Sequence, residues 1–181
     1  MAGPRRTVDA RTRYGRRVTD VHRFEVFADF SQFMIADLRP HHAWLDTDEG
    51  DDDEPAGWTE EAVLVHRLGV QPHQLAIATD RPEVAETVEV VLHVGRTPPG
   101  DLLPEAGHVV EADLSLPTGV LSVFGPSDDE HAMRLVPLAP GRYRARVSHL
   151  PARVYRVDLW PATEAVGVVV LVQSRPDLFT D

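Results

Sequence analysis

The sequence predicts a mainly β protein, a single-domain antiparallel β-sandwich with one short helix, on three observations. Short segments alternate apolar and polar residues from Phe24 to about Trp160. Proline- and glycine-bearing turns separate them, among them Pro98-Pro99-Gly100, Pro117-Thr118-Gly119, Gly125-Pro126-Ser127 and Pro140-Gly141. The chain has 181 residues, of which 43% are hydrophobic, a size and composition suited to one substantial core.

The elements follow in order. Residues 1–21 carry no apolar periodicity and read as a flexible basic arm, ahead of a sandwich domain over 22–162 and a C-terminal strand and tail over 163–181. Phe24, Val26, Ala28 and Phe30 form one face of a first strand, which passes through a bulge near Ser31 or Gln32 into the apolar run Phe33 to Ala36. Pro40 and an acidic stretch end that pattern. Thr59 then suits a helix N-cap, with Glu60 and Glu61 in a first turn where the helix dipole favours carboxylates, and the helix ends by Gly69. Strands are expected at 74–79, 87–94, 108–116, 120–124, 133–138, 142–149, 154–160 and 166–172, giving nine or ten in all. Four period-two rows should line the core: Val88, Val90, Leu92, Val94; Val110, Ala112, Leu114, Leu116; Tyr143, Ala145, Val147; and Tyr155, Val157, Leu159.

Composition excludes several chemistries. There is no cysteine, so disulfides, thiolate ligands and thiol nucleophiles are absent, which fits a reducing, cytoplasmic setting. All 18 basic residues are arginine, which removes Schiff-base lysine chemistry. No apolar run approaches the roughly 20 residues of a membrane span, and no apolar segment of signal type follows the basic arm. The first 23 residues carry a net +5, from seven arginines against Asp9 and Asp20, leaving −16 for the rest of a chain whose total is −11. A body this acidic repels nucleic-acid phosphates and is matched electrostatically by a basic protein partner.

Two charged motifs are candidate sites. Asp46, Asp48, Glu49, Asp51, Asp52, Asp53 and Glu54 form an acidic loop whose field would steer such a partner, with Asp128, Asp129 and Glu130 adding to it. The same loop fails the calcium-loop pattern, since Gly50 and Gly57 occupy ligand positions, so a solvated surface is expected there. Arg142, Arg144 and Arg146 alternate with an apolar row and would present guanidinium groups on an outer face, open to an anion or paired with Glu89, Glu111 and Asp113 across neighbouring strands. The nine histidines show no metal-ligand spacing, and His93 and His149 read as outward and solvated. Trp58 and Trp160 read as packing residues. No nucleophile elbow or phosphate loop occurs, and no cofactor or metal is expected.

Four passages carry a family resemblance: Phe30-Ser31-Gln32-Phe33 with Asp37; Trp58-Thr59-Glu60-Glu61; Leu68 to Thr79; and Val136-Pro137-Leu138-Ala139-Pro140-Gly141-Arg142-Tyr143, while the closing Tyr155 to Ala162 resembles the end of many uncharacterised bacterial proteins of similar layout. Together they resemble the competence protein J family over about three quarters of the chain. The resemblance implies a β-sandwich that is not an enzyme and that binds and inhibits a nuclease or toxin. The basic arm, the long acidic loop and the extension from Thr163 are departures from that family. Two further readings stand beside it. One is a small-anion binder, or an enzyme, using the sandwich mouth with the guanidinium ladder and His93 or His149. The other is an oligomer in which Arg5 to Arg17 of one copy docks on the acidic loop of another.

Overall fold

The alternating rows become the inward faces of two packed sheets in the computed structural model, which describes residues 19–39, 57–81, 85–129 and 131–173. The strands are β1 (Asp20–Ala28), β2 (Gln32–Ala36), β3 (Leu68–Gln71), β4 (Gln74–Ala78), β5 (Glu86–Val94), β6 (His108–Leu116), β7 (Val120–Phe124), β8 (Arg134–Pro137), β9 (Gly141–Leu150), β10 (Val154–Pro161) and β11 (Val169–Gln173). One sheet has the order β1-β5-β10-β9-β6-β11, the other β3-β4-β2-β7-β8. The β-sandwich is therefore as expected. Pairing is antiparallel except between β5 and β10, which run parallel, with Tyr155 opposite Val90. That pair joins strands far apart in sequence, so short turns could not announce it.

All four predicted rows pack into one core, with Val94 half-buried at its edge. Phe33, Ile35, Leu75, Ile77, Leu121 and Val123 supply the facing layer from the second sheet. A smaller cluster of Met34, Ala36, Ala76 and Phe124 lies on the opposite side of that sheet, where Trp58 packs on it and donates its indole N–H to Gln32 at 2.6 Å. Trp58 is a packing residue, as expected.

Three local expectations change. The first strand stops at Ala28: Phe30 and Ser31 both have positive φ (48° and 57°), and the chain turns from one sheet into the other, leaving Phe30 exposed. The sequence alternation ran past a turn that a bulge would not have produced. Second, the segment from Leu68 is a strand in its own right, paired with β4 in a tight hairpin. Third, the helix is a single turn over Ala62–His66 preceded by Thr59, whose hydroxyl accepts the N–H of Ala62 at 3.0 Å. It ends at Arg67, in the left-handed region at φ 53°.

Glycine is required at two close approaches. A Cβ on Gly57 would collide with the backbone of Val70, and one on Gly125 with the carbonyl of Phe27, where the end of β7 meets β1. Asp37 ties the second sheet together from inside: buried, it accepts the N–H and the hydroxyl of Thr118 at 2.7 and 2.6 Å. Among the described residues no helix is long and apolar enough to cross a membrane.

Candidate functional site

Two polar regions stand out, one on the outer face of the six-stranded sheet and one inside the sandwich. On the outer face, β9 lies beside β6 in the register that puts Arg146 opposite Glu111 and Arg144 opposite Asp113. Arg144 reaches Asp113 at 3.1 Å and Glu111 at 3.4 Å, and also donates to the carbonyl of Gly167. Arg146 donates to Glu111 at 2.8 Å and to the Gly100 carbonyl at 3.0 Å, with its guanidinium 6.0 Å from the centre of the buried Trp160 ring. Asp113 in turn accepts the backbone N–H groups of Val166 and Gly167. Desolvation alone would raise the pKa of Asp113, but those two N–H donors and Arg144 outweigh it and hold the carboxyl below its ordinary value. Arg142 is exposed. Glu89 does not join this ladder: β10 separates its strand from β9, and it pairs with Arg23 at 2.6 Å instead.

A shallow groove borders the ladder, lined by Pro98, Trp160, Pro161, Thr163, Val166 and Val169. On the same outer face His93 is half-buried, and burial followed by the Arg156 charge lowers its pKa.

The interior region was not anticipated. At one end of the sandwich the inward rows terminate in polar residues: Glu86 precedes Val88 on β5, His108 precedes Val110 on β6, His149 follows Val147 on β9, and Thr79 follows Ile77 beyond β4. All four are buried. His149 is thus in phase with the core and not outward. Arg67, also buried, reaches across from the left-handed residue after the helical turn to donate to the Thr79 carbonyl at 2.8 Å and to pair with Asp80 at 3.2 Å. Asp80 also faces His149, whose Nδ1 lies 3.3 Å from the carboxylate. The Asp80 N–H is donated to the Tyr155 hydroxyl at 2.8 Å. The rings of Tyr155 and His149 meet edge to face at 5.0 Å, as do those of His149 and His108 at 5.1 Å.

Burial is the main influence on these groups. It lowers the pKa of His149 to about 4, against the opposing hydrogen bond to Asp80. It also lowers that of His108 and raises that of Tyr155. His108 faces two oxygens at 2.9 Å, the side-chain oxygen of Gln173 on β11 and the carbonyl of His66, while the Gln173 amide donates to Val65. These contacts fasten the last strand to the helical turn.

Several polar atoms at this end have no hydrogen-bond partner among the described residues: both carboxylate oxygens of Glu86, Nε2 of His149, the hydroxyl oxygen of Thr79 and, in the adjoining turn, Oδ1 of Asp29. Glu86 forms a long ion pair with the Arg153 guanidinium, at 3.5 Å. The signal for this cluster was present in the sequence, as polar residues in register with apolar rows at their ends. Among the described residues no group of three or more histidine, aspartate or glutamate side chains could hold a metal ion. Asp46, Asp48, Glu49, Asp51, Asp52, Asp53 and Glu54 lie outside the described residues, as do Glu130 and the basic arm over 1–18.

The two-sheet sandwich has the ComJ-like fold. Two solved structures share it. One is ComJ from Bacillus subtilis, described as an inhibitor of the DNA-degrading activity of NucA: TM-score 0.60, 12% identity, 80% of this chain and 99% of that one covered. The other is the crocagin biosynthetic gene J product, with TM-score 0.56, 15% identity, and 80% and 98% covered. No protein-family model matches the chain, and no curated protein matches it.

Proposed function

We propose that this protein is a non-catalytic, cytoplasmic protein-binding module that inhibits a DNA-degrading nuclease. The observation that carries this reading is the shared fold with ComJ, which spans nearly the whole of that inhibitor. The net charge of −11 adds support, because a nuclease must present a cationic surface to DNA phosphates and an acidic inhibitor is attracted to the same surface. In this reading the carboxylates from Asp46 to Glu54 steer the encounter with a basic partner. DNA degradation by NucA, and by any nuclease encoded beside this gene, measured with and without the purified protein, tests it. Stoichiometric inhibition that weakens with salt is expected, and weakens further when the 46–54 carboxylates are changed to Asn and Gln. Unchanged DNA degradation at all protein concentrations would refute it.

An anion site on Arg142, Arg144 and Arg146 has less support, because Arg144 and Arg146 already hold carboxylate and carbonyl partners.

A further inference from the structure

The unpartnered atoms at the polar end share one chemistry. Glu86 is 5% exposed, His149 3% and Thr79 2%, so bulk solvent reaches little of them. A buried polar atom left unpaired costs about 1–3 kcal/mol, and more if charged. The Glu86 oxygens accept only. His149, donating from Nδ1 to Asp80, presents Nε2 as an acceptor, and the Thr79 hydroxyl oxygen has lone pairs to spare.

Tyr155 is the group they have in common. Asp80 is hydrogen-bonded to its hydroxyl, Thr79 is the preceding residue, His149 touches its ring, and the Glu86 charge raises its pKa. The turns that close this end contain every non-glycine residue with positive φ among those described: Phe30, Ser31, Arg67, Ala152 and Arg153. Ser31 accepts the N–H of Thr79, Arg67 donates to Thr79, and Arg153 stands over Glu86. Such backbone conformations cost on the order of 1–3 kcal/mol each and concentrate where a structure holds groups for a ligand.

We propose that this end of the sandwich binds a cationic hydrogen-bond donor, a primary ammonium or guanidinium group, with Glu86 as counter-ion and His149 and Thr79 as its polar contacts. An anion is disfavoured because it would meet acceptors, and the groups lack the ligand number a metal needs. Arg153 lies on the solvent side: half-exposed, on the strained turn Pro151–Arg153, its guanidinium pairs with Glu86 at 3.5 Å, too long for a good hydrogen bond. In the proposal it competes with the ligand for Glu86. The proposal does not depend on the nuclease reading.

The test uses the full chain at constant ionic strength, with calorimetric titration and thermal unfolding in millimolar methylguanidinium or propylammonium. Tetramethylammonium, equally charged but without N–H donors, is the control. Saturable binding and a raised unfolding temperature are expected for the two donors and not for the control. Arg153→Ala should tighten binding about fivefold, the scale of one half-exposed ion pair. Glu86→Gln should abolish it. A Gly-Arg-Gly peptide distinguishes the source: binding tighter than methylguanidinium points to a protein side chain, and weaker binding to a free small cation. Binding to none of the cations, equal binding to tetramethylammonium, or no change on Arg153→Ala would overturn the proposal. That last variant decides the matter if Glu86→Gln does not fold.

Discussion

The guanidinium ladder on the outer face and the polar end of the interior hold similar residues in opposite states. On the ladder each buried charge is answered: Arg144 by two carboxylates and a carbonyl, Asp113 by an arginine and two backbone N–H groups. Inside, Arg67 and Asp80 are likewise paired, yet the Glu86 oxygens, Nε2 of His149 and the Thr79 hydroxyl have no hydrogen-bond donor or acceptor among the described residues. The contrast separates structure from recognition. Charges that satisfy one another across strands lock a register, whereas acceptors buried without donors keep a capacity for something not contained in the fold.

The comparison can be broken at several points. The largest effect should come from Tyr155, which is fully buried and joins the polar end to Phe33 in the facing sheet. Tyr155→Ala should cost about 3–5 kcal/mol in chemical denaturation, and Tyr155→Phe, which removes only the acceptor for the Asp80 N–H, about 1 kcal/mol. Equal losses would mean that the ring contributes little.

Acid should expose the interior histidine next. His149 has a folded pKa of about 4 against an ordinary value of 6.5, so between these values the unfolded chain binds the extra proton. Stability is complete above pH 6.5 and declines toward pH 4, by roughly 3 kcal/mol at about 1.4 kcal/mol per unit. His149→Gln should flatten that slope in urea unfolding measured from pH 7 to 4. An unaltered slope would place the acid sensitivity elsewhere.

The ladder predicts a smaller loss. Arg144→Met should destabilise by about 2–3 kcal/mol, less than for a fully buried pair, because Glu111 and Asp113 keep some contact with water. Exposed Arg142 offers the smallest effect: Arg142→Ala should stay within about 0.5 kcal/mol. If the two substitutions cost the same, the ladder is not the interlocked element described.

Much of the scaffold was legible because period-two burial is a local property. Val88 to Val94 and Tyr143 to Val147 announced their inward faces, and Thr59 its capping role, from neighbours a few residues away. What depended on tertiary pairing was not legible. Nothing local says that β10 intervenes between Glu89 and the arginines of β9, or that β5 and β10 run parallel. His149 reads as solvated from its polarity, although its phase matches Val147. Thr79, Glu86 and His108 are hidden for the same reason: a polar side chain at the end of an apolar row carries no local sign that it is buried.

The difference between the two regions is tested most directly by a crystal structure of the full chain grown with methylguanidinium. The account predicts a planar group hydrogen-bonded to Glu86 at the polar end and an unaltered ladder on the outer face. A methylguanidinium seated instead against Glu111 and Asp113, with Glu86 still without a donor, would contradict it.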